Sequence, residues 1–337
     1  MTVTAREIHL KSRPEGLPSR ENFELVERPL AAPQEGQILV RNLWMSVDPY
    51  MRGRMNDRKS YIPPFQLGEA LEGGAIGRVT ESRDERFQSG DLVSHFAGWR
   101  DQAVVDAAGT RKIDADKVPA QAYLGVLGMP GLTAYAGLTR IAEPKARETI
   151  FVSAAAGAVG AVVCQVAKLR GCRVVGSAGS QDKIDWLLQE AGVDAVINYK
   201  TVENLQAALA EACPDGIDIY FDNVGGDHLD AALALANEGA RFVLCGMIGQ
   251  YNAGSELPAV HNLFQAVGKR IKLQGMIVRD HFDLLPEFTR EMSQWIAGGQ
   301  ITWRETVVEG LENAPEAFIG LFRGDNTGKM LVALDKS

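Results

Sequence analysis

From about Pro119 onward the chain alternates short apolar runs with stretches whose apolar residues fall three and four apart, the pattern of a parallel sheet with crossover helices. That alternation constrains the fold more than any other feature. Strands are expected at Thr149–Ser153, Arg173–Ser177, Ala195–Asn198, Ile217–Phe221, Arg241–Cys245 and Ile271–Gly275. The segments Gly157–Leu169, Gln181–Ala191, Val202–Ala212 and Gly226–Ala236 are long enough for the helices between them. Six strands joined in this way make an α/β, doubly wound sheet.

The first third of the chain reads differently. Gln37–Val47, Gly74–Val79 and Asp91–Phe96 are short, rich in Val, Ile and aromatics, and punctuated by Gly, Pro and Asp, as in a barrel or sandwich. After Gly299 short apolar segments return, with Thr306–Glu309 and Lys329–Leu334 bracketing a helix around Pro315–Phe322. The expected organisation is a β-rich domain over residues 1–125, a nucleotide domain over 126–300, and a return of 301–337 to the first domain. A length of 337 residues suits two domains.

Composition removes several functions. The chain has 43 acidic against 35 basic residues, a net charge of −8, so its field repels polyanions and nucleic acid is not expected as a partner. Cys164, Cys172, Cys213 and Cys245 are far apart in sequence, which fits a reduced, cytoplasmic setting. The one long apolar stretch, Phe151–Ala167, contains Ser153, Gly157, Gly160 and Gln165 and reads as a buried strand and helix, so no membrane association is expected. No spacing suits a metal site, a GxxxxGK[ST] loop or a GxSxG elbow. The histidines His9, His95, His228, His261 and His281 have no partner that sequence assigns.

The chemistry-bearing motif begins where Thr149–Ser153 runs into Ala154-Ala-Ala-Gly157-Ala-Val-Gly160 and then a helical stretch. Small residues at a strand-to-helix turn let backbone approach a pyrophosphate, and the helix N-terminus offers N–H groups and a positive dipole. An NAD site normally ends its second strand on an acid. Here Val175–Ser180 carries none before Asp182, and Lys183 follows. A lysine attracts the 2′-phosphate that distinguishes NADP from NAD, so NADP(H) is the expected cofactor.

Six stretches carry a resemblance: Met45–Arg52 (MSVDPYMR), Gly128–Tyr135 (GMPGLTAY), Ala154–Gly160 (AAAGAVG), Phe221–Gly226 (FDNVGG), Cys245–Asn252 (CGMIGQYN) and Gly324–Lys329 (GDNTGK). In order along nearly the whole chain, they resemble the medium-chain dehydrogenase/reductase superfamily. Within it the likeness is to the zinc-independent leukotriene B4 dehydrogenase/prostaglandin reductase subfamily, with its plant alkenal reductases and bacterial curcumin reductases. The resemblance implies a GroES-like catalytic domain beside a Rossmann NADP-binding domain, and a homodimer through Ile271–Val278. It places Gly157, Ala158, Val159 and Gly160 on the pyrophosphate, with Lys183 and Tyr199 at the 2′-phosphate. It gives cofactor contacts to Asn223, to the stretch from Cys245, Gly246, Met247, Ile248 and Gly249 to Tyr251, and to Asn326, and sets Met276, Ile277 and Val278 along the nicotinamide. Where the superfamily's zinc enzymes carry Gly-His-Glu, this chain reads Leu67-Gly-Glu. Val260–Arg270 has no tyrosine to match the mammalian prostaglandin enzymes, and the Gly249-Gln-Tyr-Asn252 wording is nearer the bacterial and plant branches.

The activity this implies is reduction of the carbon–carbon double bond of an enone or alkenal, with hydride delivered to the β carbon. Tyr50 and Tyr251 are the candidate donors to the developing enolate oxygen, beside a nicotinamide ribose hydroxyl. The plainer alternatives are a loop anchor for Tyr50 and cofactor packing for Tyr251. Arg52 and Arg54 are weighed between attracting an acidic substrate tail and forming an exposed salt bridge, and Met45, Met51, Met55 and Met129 between an adaptable pocket and plain core. A quinone reductase and a non-catalytic NADPH-binding protein are the competing functions.

Overall fold

The computed structural model describes residues 3–254 and 257–334. The chain divides into two compact units, Met1–Gly125 with Glu305–Ser337, and Val126–Arg304.

The first unit opens with β1 (Val3–Leu10) and β2 (Phe23–Leu30), an antiparallel pair running from Val3 opposite Leu30 to Leu10 opposite Phe23. Its main sheet is built on β3 (Gln37–Ser46), with β4 (Ala75–Ser82), β5 (Leu92–His95), β6 (Gln102–Asp106) and β7 (Arg111–Lys112). β3 is central, pairing antiparallel with both β4 and β6. Glycine is required at position 77, where a Cβ would stand 2.3 Å from Val40 Cγ1 and 2.7 Å from the Arg41 carbonyl oxygen.

In the second unit lie β8 (Thr149–Val152), β9 (Arg173–Ala178), β10 (Ala195–Asn198), β11 (Ile217–Asp222), β12 (Ala236–Leu244) and β13 (Lys272–Gly275). Every pairing among them is parallel, in the order β10-β9-β8-β11-β12-β13. This is the doubly wound order, with its reversal between β8 and β11. All four residues of β8 are buried, which is why that strand reads as an uninterrupted apolar run.

The helix expected from Gly157 begins at Gly160, because 154–159 forms the turn itself. The one expected from Val202 begins at Leu205, where Asn204 Oδ1 accepts the Ala207 N–H at 2.9 Å. β12 starts five residues earlier than the apolar pattern suggests, at Ala236; Asn237, Glu238 and Gly239 conceal its first half, and its pairing with β11 is irregular there. Among the described residues no helix is long and apolar enough to cross a membrane.

The chain then returns to the first unit. β14 (Glu305–Glu309) runs parallel to β15 (Lys329–Ala333), and β15 pairs antiparallel with β3, Leu331 opposite Ser46. Between them the helix Ala314–Arg323 ends at Gly324 in the left-handed region at φ 77°. Phe318 of that helix meets the edge of Trp99 at 6.0 Å, and Trp99 stacks on Phe23 at 5.9 Å. Met45, Met51 and Met55 are wholly buried in this core, so of the two readings plain core holds for them; Met129 alone of the four stands exposed.

Candidate cofactor and hydride-transfer site

A parallel sheet delivers all its strands' carboxyl ends to one edge, and each segment singled out in the second unit follows one of those ends. Ser153 and the 154–159 turn follow β8, Gly179 follows β9, and Tyr199 follows β10. Asn223 follows β11, Cys245 follows β12 and Met276 follows β13.

After β8, Ala154 takes φ 48°, an uncommon conformation for a residue with a Cβ, and its carbonyl accepts the Gly157 N–H at 2.9 Å. A Cβ on Gly160 would lie 2.4 Å from that same carbonyl oxygen and 2.9 Å from Ala155 Cα, so only glycine fits where the helix begins. Gly157, Ala158 and Val159 are half-buried, and Val159 gives the helix no side-chain cap.

After β9, a Cβ on Gly179 would stand 2.8 Å from Tyr199 Oη and 3.0 Å from Lys200 Cε. The bare glycine thus lets the Tyr199 hydroxyl and the Lys200 stem close over the strand end. Ser180 opens the helix Gln181–Gln189 without a side-chain cap bond, and Lys183 is half-buried in its first turn. Partial burial holds the Tyr199 phenol above its ordinary range, so the hydroxyl keeps its proton.

Beyond β11 the Asn223 backbone N–H donates to Ser153 Oγ at 2.9 Å, and its Nδ2 donates to the Ser153 carbonyl at 2.8 Å, tying two strand ends together. Asp222, wholly buried, organises the next turn. Its Oδ1 accepts the Tyr220 hydroxyl at 2.7 Å and the N–H groups of Val224 and Gly225 at 2.9 and 2.8 Å. Its carbonyl accepts the N–H groups of Cys245 and Gly246, both at 3.0 Å. Burial pushes this carboxyl above the usual range although those donors pull it down, and Oδ2 has no partner. Desolvation, with the Asp222 charge behind it, also drives the Cys245 thiol up to about 12.

The stretch after β12 folds back on the Asn223 turn. Ile248 N–H donates to the Asn223 carbonyl and Gly249 N–H to the Val224 carbonyl, each at 3.1 Å. Met247 N–H donates to Tyr251 Oη at 3.2 Å, and a Cβ on Gly246 would come within 3.1 Å of that oxygen. One lone pair of the Tyr251 hydroxyl is thereby occupied, which fixes the ring and polarises the O–H as a donor. Met276 is buried and bonded through its N–H to the Leu244 carbonyl at 3.1 Å; Ile277 and Val278 are half-buried.

The first unit holds the remaining candidates. Tyr50, half-buried against the core, precedes the single helical turn Met51–Arg54. Asn326, also half-buried, donates from Nδ2 to the Gly328 carbonyl at 2.7 Å. Arg52 and Arg54 are 4% and 6% exposed, which corrects both the substrate-tail and the exposed-salt-bridge readings. Arg52 Nη2 donates to the Gly16 carbonyl at 2.9 Å and Nη1 to Asn56 Oδ1 at 2.8 Å. Arg54 Nε donates to the Pro63 carbonyl at 2.9 Å, its Nη2 pairs with Glu72 at 2.9 Å, and its guanidinium lies 3.9 Å over the Phe65 ring. Both arginines brace the loops beside Tyr50. The loops around Asp57–Pro64 and Ala253–Asn262 are where sequence pattern leaves the shape of a substrate pocket open; the first is described, whereas Ser255 and Glu256 of the second lie outside the described residues.

Family profiles described as "N-terminal domain of oxidoreductase" and "Zinc-binding dehydrogenase" match residues 6–113 and 158–298. The chain is 45% identical to the NADPH-dependent curcumin reductase of Escherichia coli (strain K12), covering 96% of this chain and 95% of that protein. It is 40% identical to prostaglandin reductase 1 of Rattus norvegicus over 98% and 99% of the two. The crystal structure of CurA in complex with NADPH from Vibrio vulnificus superposes with a TM-score of 0.93 at 44% identity, over 98% of this chain and 100% of that one. The chain belongs to the leukotriene B4 dehydrogenase/prostaglandin reductase subfamily of the medium-chain dehydrogenase/reductases. Although the second profile's description mentions zinc, no group of three or more His, Cys, Asp or Glu among the described residues is placed to hold a metal ion.

Four residues of this subfamily member escaped the sequence reading. Lys200 directly follows Tyr199, but only the close approach to Gly179 marks it. Ser153 and Asp222 act as acceptors for backbone N–H groups, and such bonds leave no residue-type signature. Lys329 was read as the end of the Gly324–Lys329 motif and the start of a strand, with no role of its own, although a lysine inside an apolar pentad (Lys329-Met-Leu-Val-Ala333) is itself an anomaly that could have singled it out.

Proposed function

We propose that this chain catalyses NADPH-dependent reduction of the carbon–carbon double bond of α,β-unsaturated ketones and aldehydes. The observation that carries this reading is the glycine-lined cradle at the carboxyl edge of the sheet, in a chain whose subfamily relatives are named curcumin and prostaglandin reductases.

The residues fit the cofactor. Gly160 and Gly179 are positions where a Cβ would fill the cradle, and two lysines flank the second strand end where an NAD site would carry an acid. In this reading Gly157 to Gly160 receive the pyrophosphate, Lys183, Tyr199 and Lys200 the 2′-phosphate, and Asn223, Cys245 to Gly249 and Asn326 the rest of the dinucleotide. Met276 to Val278 flank the nicotinamide. The unit 126–304 then serves as the cofactor domain.

Bound there, NADPH supplies the hydride to the substrate's β carbon. The double-bond electrons move to the carbonyl oxygen, and this chain's task is to stabilise that charge. Tyr251, oriented by the Met247 N–H, donates to the enolate oxygen, and Tyr50 is the second donor; a proton then reaches the α carbon from solvent or through a tyrosine. No ionised acid is needed at the outset.

We also read the protein as a cytoplasmic homodimer formed at β13. That strand has β12 as its one neighbour among the described residues, and Phe264 and Val267 stand exposed nearby.

The test is NADPH oxidation with a 2-alkenal, an aryl enone, a simple quinone and a saturated aldehyde, each repeated with NADH. Turnover of the alkenal and enone, faster with NADPH and absent with the saturated aldehyde, is the expected result. Turnover of the quinone alone would overturn it in favour of a quinone reductase, and cofactor binding without turnover in favour of a binding protein.

A further inference from the structure

Lysine is rarely found inside a protein unless its charge is matched, yet Lys329 is 4% exposed. Its Nζ donates to the Val47 carbonyl at 2.8 Å, to the Met330 carbonyl at 2.9 Å and to Asp48 Oδ1 at 3.1 Å. An ammonium has three N–H donors, and each meets an acceptor. The other oxygen of Asp48 accepts the hydroxyl of Ser46, a buried residue of β3. Val47 and Asp48 are therefore held by an ammonium that arrives from β15, and Ser46 joins the network by donating its hydroxyl to Asp48.

The segment so held leads directly to Tyr50. Met51 N–H bonds the Asp48 carbonyl and Arg52 N–H the Pro49 carbonyl, each at 3.1 Å, and Gly53 N–H bonds the Tyr50 carbonyl at 3.0 Å. The turn that aims the Tyr50 side chain thus starts on the residue that Lys329 grips. Stability alone gives no reason for a charge here, since an apolar side chain of similar volume commonly serves as well or better than a buried ion pair. What an ion pair with three directional bonds adds is a fixed position. The same short segment carries Asn326, so one piece of chain presents the proposed cofactor amide and the grip on the Tyr50 turn.

We propose that Lys329 is a positioning residue that acts through Asp48 to hold Tyr50 where it can donate to the substrate oxygen. This rests on the enone-reductase reading and on the donor role of Tyr50 within it.

The test is a double-mutant cycle. Lys329→Met with Asp48→Asn removes both charges together and leaves no stranded buried ion, which keeps the fold. With Tyr50 present, kcat for an aryl enone should fall about tenfold while the NADPH Kd, read by fluorescence titration, moves less than twofold; in a Tyr50→Phe background the further fall should be under about twofold. Asp48→Asn alone keeps an acceptor for the ammonium but removes its counter-charge, so it should lower stability in urea, and any accompanying fall in kcat should show the same dependence on Tyr50. Equal falls in both backgrounds, or none in either, would overturn the positioning role. Should Tyr50→Phe itself leave kcat unchanged, the role of Tyr50 fails and takes this inference with it, while enone reduction by the unaltered protein still stands as a separate result.

Discussion

The two units secure their functional groups by opposite means. At the carboxyl edge of the parallel sheet the positions proposed to face the cofactor are mostly backbone and glycine, and the side chains that organise them, Ser153 and Asp222, do so by accepting N–H groups. Around Tyr50 the chain is held by long charged side chains turned inward: Lys329 on Val47 and Asp48, Arg52 on Gly16, Arg54 on Pro63. A backbone cradle is intolerant of added atoms and indifferent to charge. A charged clamp tolerates small changes in bulk and fails when a partner is lost.

The sharpest way to break that contrast is to add atoms to the cradle. Gly160→Val places a branched side chain where even a Cβ meets the Ala154 carbonyl oxygen at 2.4 Å, and backbone cannot swing aside as a side chain can. Overpacking of this kind costs about 1–3 kcal/mol or more, and the loop displacement that relieves it removes the pyrophosphate seat. NADPH binding should become undetectable by fluorescence titration, with lower stability in urea. Gly268→Ala, in the same unit with nothing within 4 Å of the new Cβ, should leave both unchanged. Equal binding by Gly160→Val and the unaltered protein would show that the cradle is elsewhere.

Next in size is the part of the proposed cradle that relies on charge. A charge-assisted hydrogen bond is worth about 1.5–3 kcal/mol, roughly ten- to hundredfold in affinity. Lys183→Ala and Lys200→Ala should each weaken 2′,5′-ADP by about that factor or somewhat less at an exposed position, and leave 5′-ADP within about twofold. Calorimetric titration separates the two ligands directly. Parallel losses for both ADP species would mean that the lysines shape the helix Gln181–Gln189 and do not read the phosphate.

What could be read from sequence follows the same division. The six parallel strands, the helices between them and the Gly157–Gly160 turn are encoded within a few residues of each other, as apolar runs and small-residue spacing, so local pattern locates them. The strand character of Lys329–Leu334 was legible as an apolar run, but its pairing with β3, nearly three hundred residues away, was not. Nor was the clamp on the Tyr50 turn, since Lys329 and Asp48 are 281 positions apart and nothing in either neighbourhood specifies the other. The arginines failed for a related reason: Arg52 and Arg54 read as surface charge until the carbonyls of Gly16 and Pro63 are seen to surround them. The start of β12 was missed because a polar, glycine-containing stretch can still pair when its neighbour's edge is open to it.

Two buried histidines, one in each unit, share a fate and differ in their bonding, the smallest expected effect being at His228. Desolvation lowers both His95 and His228 from 6.5 to about 4. An unfolded chain protonates these rings as pH falls below 6.5 and the folded one does not, so each contributes stability that is complete above pH 6.5 and is lost progressively toward pH 4. Removing either ring should therefore narrow the stability loss between pH 7 and pH 5, by up to about 2 kcal/mol. At pH 7 the two should part. His95 Nδ1 accepts the Ala97 N–H at 3.1 Å and its Nε2 lies 2.9 Å from Asn42 Oδ1, so His95→Leu leaves the buried Asn42 oxygen unpaired at about 1–3 kcal/mol and the half-buried Ala97 N–H at somewhat less. His228 Nε2 has no partner, and its ring lies parallel to Phe151 at 6.3 Å. His228→Leu gives up that stacking and an unsatisfied nitrogen together, for a net change within about 1 kcal/mol. Urea unfolding at the two pH values measures all of this. A cost at pH 7 as large for His228→Leu as for His95→Leu would mean that the second unit depends on buried polar side chains as heavily as the first.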